Sequence, residues 1–251
     1  MPGPSLPHAA VAPPPRLLAA QNSVLLDFDG TLVDLVDRPD AVVIDAALLA
    51  LVRRLNGTFD GRVALVSGRS VAQLEAFLGA TLEGIAIVGS HGAEVRAGAR
   101  RVSTVRPQAL IAAERAIQAT FADRDGVIVE VKSLGIAVHY RLAPDVEPAA
   151  RSLVERIARK SGLAVQEGKM MIELRAAGHD KGSGIATLMA QPPFVGTVPV
   201  FAGDDVTDEA GFGAVEELGG IGVLVGPARP TAARFRLDNV AAVRAWLGQA
   251  A

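Results

Sequence analysis

Short apolar runs rich in β-branched residues alternate along the chain with segments of helical spacing. That alternation limits the architectures open to it. Residues 23–28 read as a buried strand, 45–56 as a helix, 62–66 as a strand, 70–78 as a helix and 85–88 as a strand. The pattern resumes with a helix over 182–189, a strand over 198–201, a helix over 205–215, a strand over 221–225 and a closing helix over 240–247. Such alternation predicts an α/β fold, with a parallel sheet and helices on both of its faces.

The middle of the chain breaks the pattern. The stretch "HGAEVRAGARRVSTV" predicts a hairpin turning near Ala97 and Gly98. A helix over 107–121, strands over 127–132 and 135–141, a helix over 146–160 and strands over 164–166 and 170–175 follow. Strands joined by tight turns imply an antiparallel sheet, so an α+β domain is expected as an insertion. The expected organisation is a disordered tail over 1–20, a core made of 21–105 and 177–251, and an inserted cap over 106–176. Period-two alternation gives each cap strand an apolar face and a charged one. Val127, Val129 and Val131 oppose Ile128, Glu130 and Lys132; Ile136, Val138 and Tyr140 oppose Ala137, His139 and Arg141; Ile172 and Leu174 oppose Met171, Glu173 and Arg175. The charged face is open to two readings, a solvated surface or a polar roof over a hydrophilic ligand.

Four short stretches concentrate reactive groups. In "LLDFDGTLVD", Asp27 and Asp29 close an apolar run just before Gly30. Residues two apart at a strand end are expected to face the same space, at the sheet edge where ligands bind in such folds. Two close carboxylates raise one another's pKa unless a cation intervenes. An Asx-type turn is the bland alternative, and an EF-hand loop fits poorly because its glycine belongs at the sixth position. In "SGR", Ser67, Gly68 and Arg69 precede a helix that Ser70 and Gln73 can cap by themselves, which frees Ser67 for a ligand oxygen. In "DKGS", Lys181 places a cation in the first turn of a helix, against the dipole, and a bound phosphate would reverse that penalty. In "GDDVTD", Asp204 and Asp208 add two more carboxylates to the same edge. Four converging carboxylates call for a divalent cation. With oxygen donors only, no cysteine and no ligand spacing among His8, His91, His139 and His179, Mg2+ fits better than Zn2+.

These four stretches resemble, in order, the motifs of the haloacid dehalogenase superfamily of phosphotransferases. The resemblance covers nearly all of the chain from Ser23 onward and implies a Rossmann-like core with an inserted cap. It implies that Asp27 is the nucleophile and Asp29 the general acid/base, with Ser67 and Lys181 holding phosphoryl oxygens. Asp27, the backbone carbonyl of Asp29 and Asp204 would bind Mg2+, with Asp208 in support. Further strings, "GSHGAEVR", "VEVKSLGIAVHYR" and "GKMMIELR", look like trehalose-6-phosphate phosphatases. In that family residues matching Glu130, Lys132 and Glu173 grip sugar hydroxyls, which favours the roof reading of the charged face. His139 and Arg141 share that face, and Gly68 and Arg69 are counted with the substrate contacts; His91 and Glu94 receive no role. The expected activity is hydrolysis of trehalose 6-phosphate, with sucrose-6-phosphate or mannosyl-3-phosphoglycerate hydrolysis, phosphomutase action and a catalytically silent sugar-phosphate sensor as rivals. Where the family often has proline, this chain has Ala176, Ala177 and Gly178. A looser hinge is expected there, with Gly178→Pro slowing turnover while the fold stays intact.

Composition bounds the rest. The 251 residues carry a net charge of -2, so no basic footprint for nucleic acid or anionic lipid exists. No apolar run approaches the roughly 18 residues of a membrane span. The proline-rich start lacks the pattern of a secretory signal, and a cytoplasmic monomer acting on a small-molecule substrate is expected.

Overall fold

The computed structural model describes residues 12–36, 41–168 and 170–250. They fall into two compact units, one drawn from within 1–102 and 180–251 and the other from within 103–179. No helix among the described residues is long and apolar enough to cross a membrane.

In chain order the larger unit contains β1 (Asn22–Leu26), α1 (Ala46–Thr58), β2 (Val63–Val66), α2 (Val71–Leu78), β3 (Ala86–Gly89), β4 (Glu94–Ala97) and β5 (Arg100–Ser103). The inserted unit contributes α3 (Gln108–Phe121), β6 (Ile128–Val131), β7 (Gly135–His139), α4 (Glu147–Ser161), β8 (Ala164–Gly168) and β9 (Met171–Arg175). The larger unit resumes with α5 (Lys181–Met189), β10 (Val198–Gly203), α6 (Glu209–Glu217), β11 (Ile221–Val225), β12 (Phe235–Leu237) and α7 (Val240–Gly248).

The large sheet runs β12-β11-β10-β1-β2-β3-β4-β5, parallel from β12 through β3, with β4 antiparallel to β3. The chain leaves β1 toward β2 on one side and returns to β10 on the other. The carboxyl ends of β1 and β10 therefore form a topological switch point, where such sheets bind ligands. One face buries Leu48, Val52 and Leu55 of α1, Leu74 and Leu78 of α2 and Val243 and Leu247 of α7. The other buries Ile185 and Leu188 of α5 with Phe212 and Val215 of α6. Local signals fix the helix starts: Asp45 caps α1 through Leu48 N–H, and Ser70 with Gln73 forms the capping box of α2.

The inserted unit is an antiparallel sheet ordered β6-β7-β9-β8. Ile136, Val138, Ile172 and Leu174 are buried on the side that packs against α3 and α4, whose inward residues include Leu110, Ile117, Ala150 and Val154. Glu130, Lys132, His139 and Glu173 share the opposite face.

Four expectations need correction. The tail was expected to be disordered through residue 20; residues 1–11 lie outside the described residues, but 12–20 are packed. Ala12 bridges to Phe235, Arg16 donates to Gln249 O, Trp246 Nε1 donates to Pro15 O at 2.9 Å, and Leu17 is buried in the core. Proline content removes donors but does not prevent an apolar side chain from docking. The helix expected from Asp205 begins as a 3-10 turn over Val206–Asp208 and becomes α-helical at Glu209. The three-residue β12, too short for its periodicity to register, extends the sheet. Gly178 has φ +86; proline, locked near φ -65°, cannot adopt that backbone, so Gly178→Pro would distort the fold rather than isolate a hinge.

Leu17→Ala should destabilise the protein by about 2–5 kcal/mol in a urea titration, the usual range for a buried leucine. A loose tail would leave the transition midpoint where it was.

Candidate active site

Asp27 follows β1 and Asp204 follows β10, and the two strands are register neighbours, with Leu26 opposite Ala202. Asp27 N–H donates to Ala202 O at 2.9 Å, which fixes the first residue beyond β1 against β10. Gly182 lets α5 approach α6 closely, since a Cβ there would lie 2.4 Å from Ala210 O. That contact sets Lys181, at the start of α5, beside Asp208, at the end of the 3-10 turn before α6. Lys181 Nζ donates to Asp27 Oδ1 at 2.8 Å and to Asp208 Oδ1 at 2.5 Å, and all three residues are buried. Carboxylate oxygens of Asp27, Asp204 and Asp208 lie within 4.8 Å of one another. Such an oxygen-only donor set suits a hard divalent cation.

The electrostatics follow from burial and crowding. Burial raises the Asp27 carboxyl well above its ordinary range, Asp208 and Asp204 push it further, and Lys181 opposes them. Burial likewise raises Asp208. Asp204 is pushed up to about 7 by burial first and Asp208 second. Burial would lower the Lys181 ammonium, yet Asp208 and Asp27 outweigh it and raise its pKa. The cluster holds one cation against three acids, and it resists full ionisation without further positive charge.

Asp29 is not one of the three carboxylates in this group. Its carboxylate takes two hydrogen bonds from Arg69, from Nε and Nη2, each 2.7 Å. The guanidinium also lies over the Phe77 ring, 4.8 Å from its centroid, and near Phe28. Asp27 and Asp29 both lie beyond β1, which ends at Leu26. Gly30 then turns the chain at φ +82, its N–H donating to Val33 O. Alternation of side-chain direction holds only within a strand. Three side-chain carboxylates converge, not four.

Ser67 is buried and its Oγ accepts the Arg69 N–H at 3.1 Å; its own hydroxyl proton meets no acceptor among the described residues. Gly68 lies beneath the His91 ring, where a Cβ would sit 2.6 Å from Nε2. In the inserted unit, Lys132 Nζ donates to Glu173 Oε2 at 2.6 Å and lies 4.0 Å from Glu130 Oε2. Glu130 Oε2 also pairs with His139 Nε2 at 2.9 Å. Arg141, just past β7, is half-buried.

The family model described as trehalose-phosphatase matches residues 25–241. A relative from Escherichia coli (strain K12), trehalose-6-phosphate phosphatase, is 38% identical over 233 residues, covering 92% of this chain and 86% of its own. The chain belongs to the trehalose-phosphatase family. A solved structure described as a trehalose-6-phosphate phosphatase related protein superposes with a TM-score of 0.75 at 32% identity, covering 90% of this chain and 95% of that one. A phosphatase of the haloalkanoate (HAD) enzyme superfamily from Bacteroides thetaiotaomicron has a TM-score of 0.63 at 15% identity, covering 93% of each, and shares the fold. The architecture is thus the haloacid dehalogenase core, as the motifs implied.

Family membership leaves supporting contacts that no motif announced. Glu94 Oε2 accepts the Val71 N–H at 2.8 Å, so β4 caps the start of α2 just after the "SGR" loop. His91 holds φ +52 while its N–H donates to Ser67 O. Arg229 Nη2 donates to Asp205 O at 2.8 Å, and Glu209 accepts the Ala232 N–H at 2.8 Å, tying the loop that bears Asp204 and Asp208 to the chain after β11. The strings around His91 and Glu94 were visible in sequence, but their partners lie 20 or more residues away.

Asp204 titrates near 3.8 when unfolded and near 7 when folded. Between those values the folded state holds more protons, so the group's contribution to stability falls as pH rises. In chelator, melting temperatures of wild type should therefore drop relative to Asp204→Asn between pH 5 and about 7.5. A divalent cation should recover the wild type at the upper end and leave the variant nearly unmoved. Parallel pH profiles for the two proteins would contradict the assigned environment.

Proposed function

We propose that the chain is a Mg2+-dependent phosphatase that hydrolyses trehalose 6-phosphate to trehalose and phosphate through an aspartyl-phosphate on Asp27. The observation that carries this reading is the Asp27 carboxylate, held by the buried Lys181 ammonium inside a three-carboxylate cluster at the switch point of a parallel sheet. The name of the Escherichia coli relative, matched over most of both chains, supports the substrate.

Asp27 Oδ would attack phosphorus while the bond to the sugar 6-oxygen breaks, and Asp29, once released from Arg69 and carrying a proton, would give that oxygen its proton. Asp29 would then take a proton from water as the water oxygen attacks phosphorus. The Asp27 oxygen–phosphorus bond breaks, and phosphate and the free carboxylate result. Lys181 and the Ser67 hydroxyl would donate hydrogen bonds to the phosphoryl oxygens, with the ammonium also offsetting their charge, and the pairing with Arg69 gives the ionised Asp29 a fixed resting place. Asp27, Asp204 and the Asp29 carbonyl would hold Mg2+, with Asp208 in support. When bound, the ion supplies positive charge against the developing negative charge. Gly68 would allow close approach at the "SGR" loop. Glu130, Lys132 and Glu173, with His139 and Arg141, would grip the sugar hydroxyls. A disaccharide offers little apolar area, so matched charged hydrogen bonds must carry the selectivity.

Phosphate release should fall to background in Asp27→Asn for every ester tried and in wild type treated with chelator, and Mg2+ should restore the latter. Glu130→Ala should lower kcat/KM for trehalose 6-phosphate roughly 10- to 150-fold, the equivalent of one charged hydrogen bond, and lower that for an aryl phosphate far less. Equal losses on both substrates would remove the sugar-binding role. Faster turnover of sucrose-6-phosphate or mannosyl-3-phosphoglycerate would reassign the substrate.

A further inference from the structure

The charged face of the small sheet carries a polar group, on β8, that the reading above leaves unused. The strand register sets Glu130 opposite Ala137, Ala137 opposite Glu173 and Glu173 opposite Gln166. The four residues form one row across β6, β7, β9 and β8, and side chains in a row share a face. Gln166 therefore stands next to Glu173, with Cβ atoms about 5 Å apart.

Four charged groups of this face are matched within the protein. Lys132 donates to Glu173, and Glu130 pairs with His139. Gln166 differs. It is half-buried, and its side-chain amide makes no hydrogen bond among the described residues.

A sugar hydroxyl is both a donor and an acceptor, whereas an ionised carboxylate only accepts. Glu173 alone can satisfy only the hydroxyl's O–H. A glutamine amide beside it presents two N–H groups that satisfy the hydroxyl's oxygen. A hydroxyl lying between the two side chains would donate to one and accept from the other. A cation at position 166 would instead compete for Glu173, and an apolar residue would leave the hydroxyl oxygen unmatched.

We propose that Gln166 is a specificity-determining residue: its amide donates to a hydroxyl of the disaccharide ester that donates to Glu173. This inference rests on the sugar-phosphate reading above and adds a contact on β8 to those on β6, β7 and β9. Gln166 touches the sugar and not the phosphoryl group, so its effect belongs to the choice between esters.

The test uses the full chain with trehalose 6-phosphate and p-nitrophenyl phosphate as paired substrates. The readout is the ratio of their kcat/KM values, which cancels damage common to both. Gln166→Leu should lower that ratio about three- to tenfold, as expected for one neutral hydrogen bond. Gln166→Glu, nearly the same size, replaces the N–H donors with acceptors beside Glu173 and should lower the ratio further. It also serves should the leucine variant fail to fold. Adding a substrate lacking the bridging hydroxyl, found by scanning deoxy analogues, should cost wild type more than Gln166→Leu. A ratio unchanged in both variants, with the ratio for Glu130→Ala reduced in the same assay, overturns the role of Gln166 alone. Wild type that cleaves p-nitrophenyl phosphate but leaves trehalose 6-phosphate intact overturns the substrate reading, and the Gln166 contact with it.

Discussion

Lys181 brings one positive charge into a space shared by three carboxylates, Asp27, Asp204 and Asp208, which leaves two negative charges unbalanced when all three are ionised. Removing one partner of a buried ion pair costs about 3–5 kcal/mol, because the other charge is left without compensation. The geometry that avoids this reaches across 154 residues of chain, from Asp27 to Lys181. It depends on β10 lying beside β1 and on the close packing of α5 with α6. The residual charge equals that of a divalent cation in magnitude, so the fold and the proposed cofactor answer the same electrostatic problem.

The two aspartates of the "DFDGT" stretch end up in different surroundings although a single residue separates them. Asp27 is buried against an ammonium and two acids. Asp29 is partly exposed, held by the two nitrogens of a guanidinium that is itself braced by aromatic rings. Environments this unlike are how two carboxylates in one site take separate parts in a reaction. In the proposed reaction one bonds to phosphorus and the other carries a proton. The strand's alternation ends at Leu26, before either aspartate.

Much of this was legible in the sequence, for identifiable reasons. Fully apolar strands such as Leu25–Leu26 and Val63–Val66 have no competing interpretation beside helices of clear period. The capping box at Ser70 and Gln73 is a local code that tertiary structure left undisturbed. The face shared by Glu130, Lys132 and Glu173 follows from period two alone once the strands are placed. What stayed hidden was contact between distant segments. Nothing near Arg69 says that its partner is Asp29, 40 residues upstream, and nothing near Glu94 says that it caps Val71. Composition misled at the tail, where three successive prolines masked the docking of Leu17. Length misled at β12, where three residues cannot display a period.

The docked N-terminal segment ends against Trp246, the chain's single tryptophan, whose indole donates to Pro15 O. That residue belongs to the core of the larger unit, and the inserted unit has no tryptophan at all. Intrinsic fluorescence excited at the indole band thus follows the unit that holds Asp27 and Lys181, while circular dichroism sums over both. A gap between the two denaturation curves would report directly that the inserted unit melts on its own.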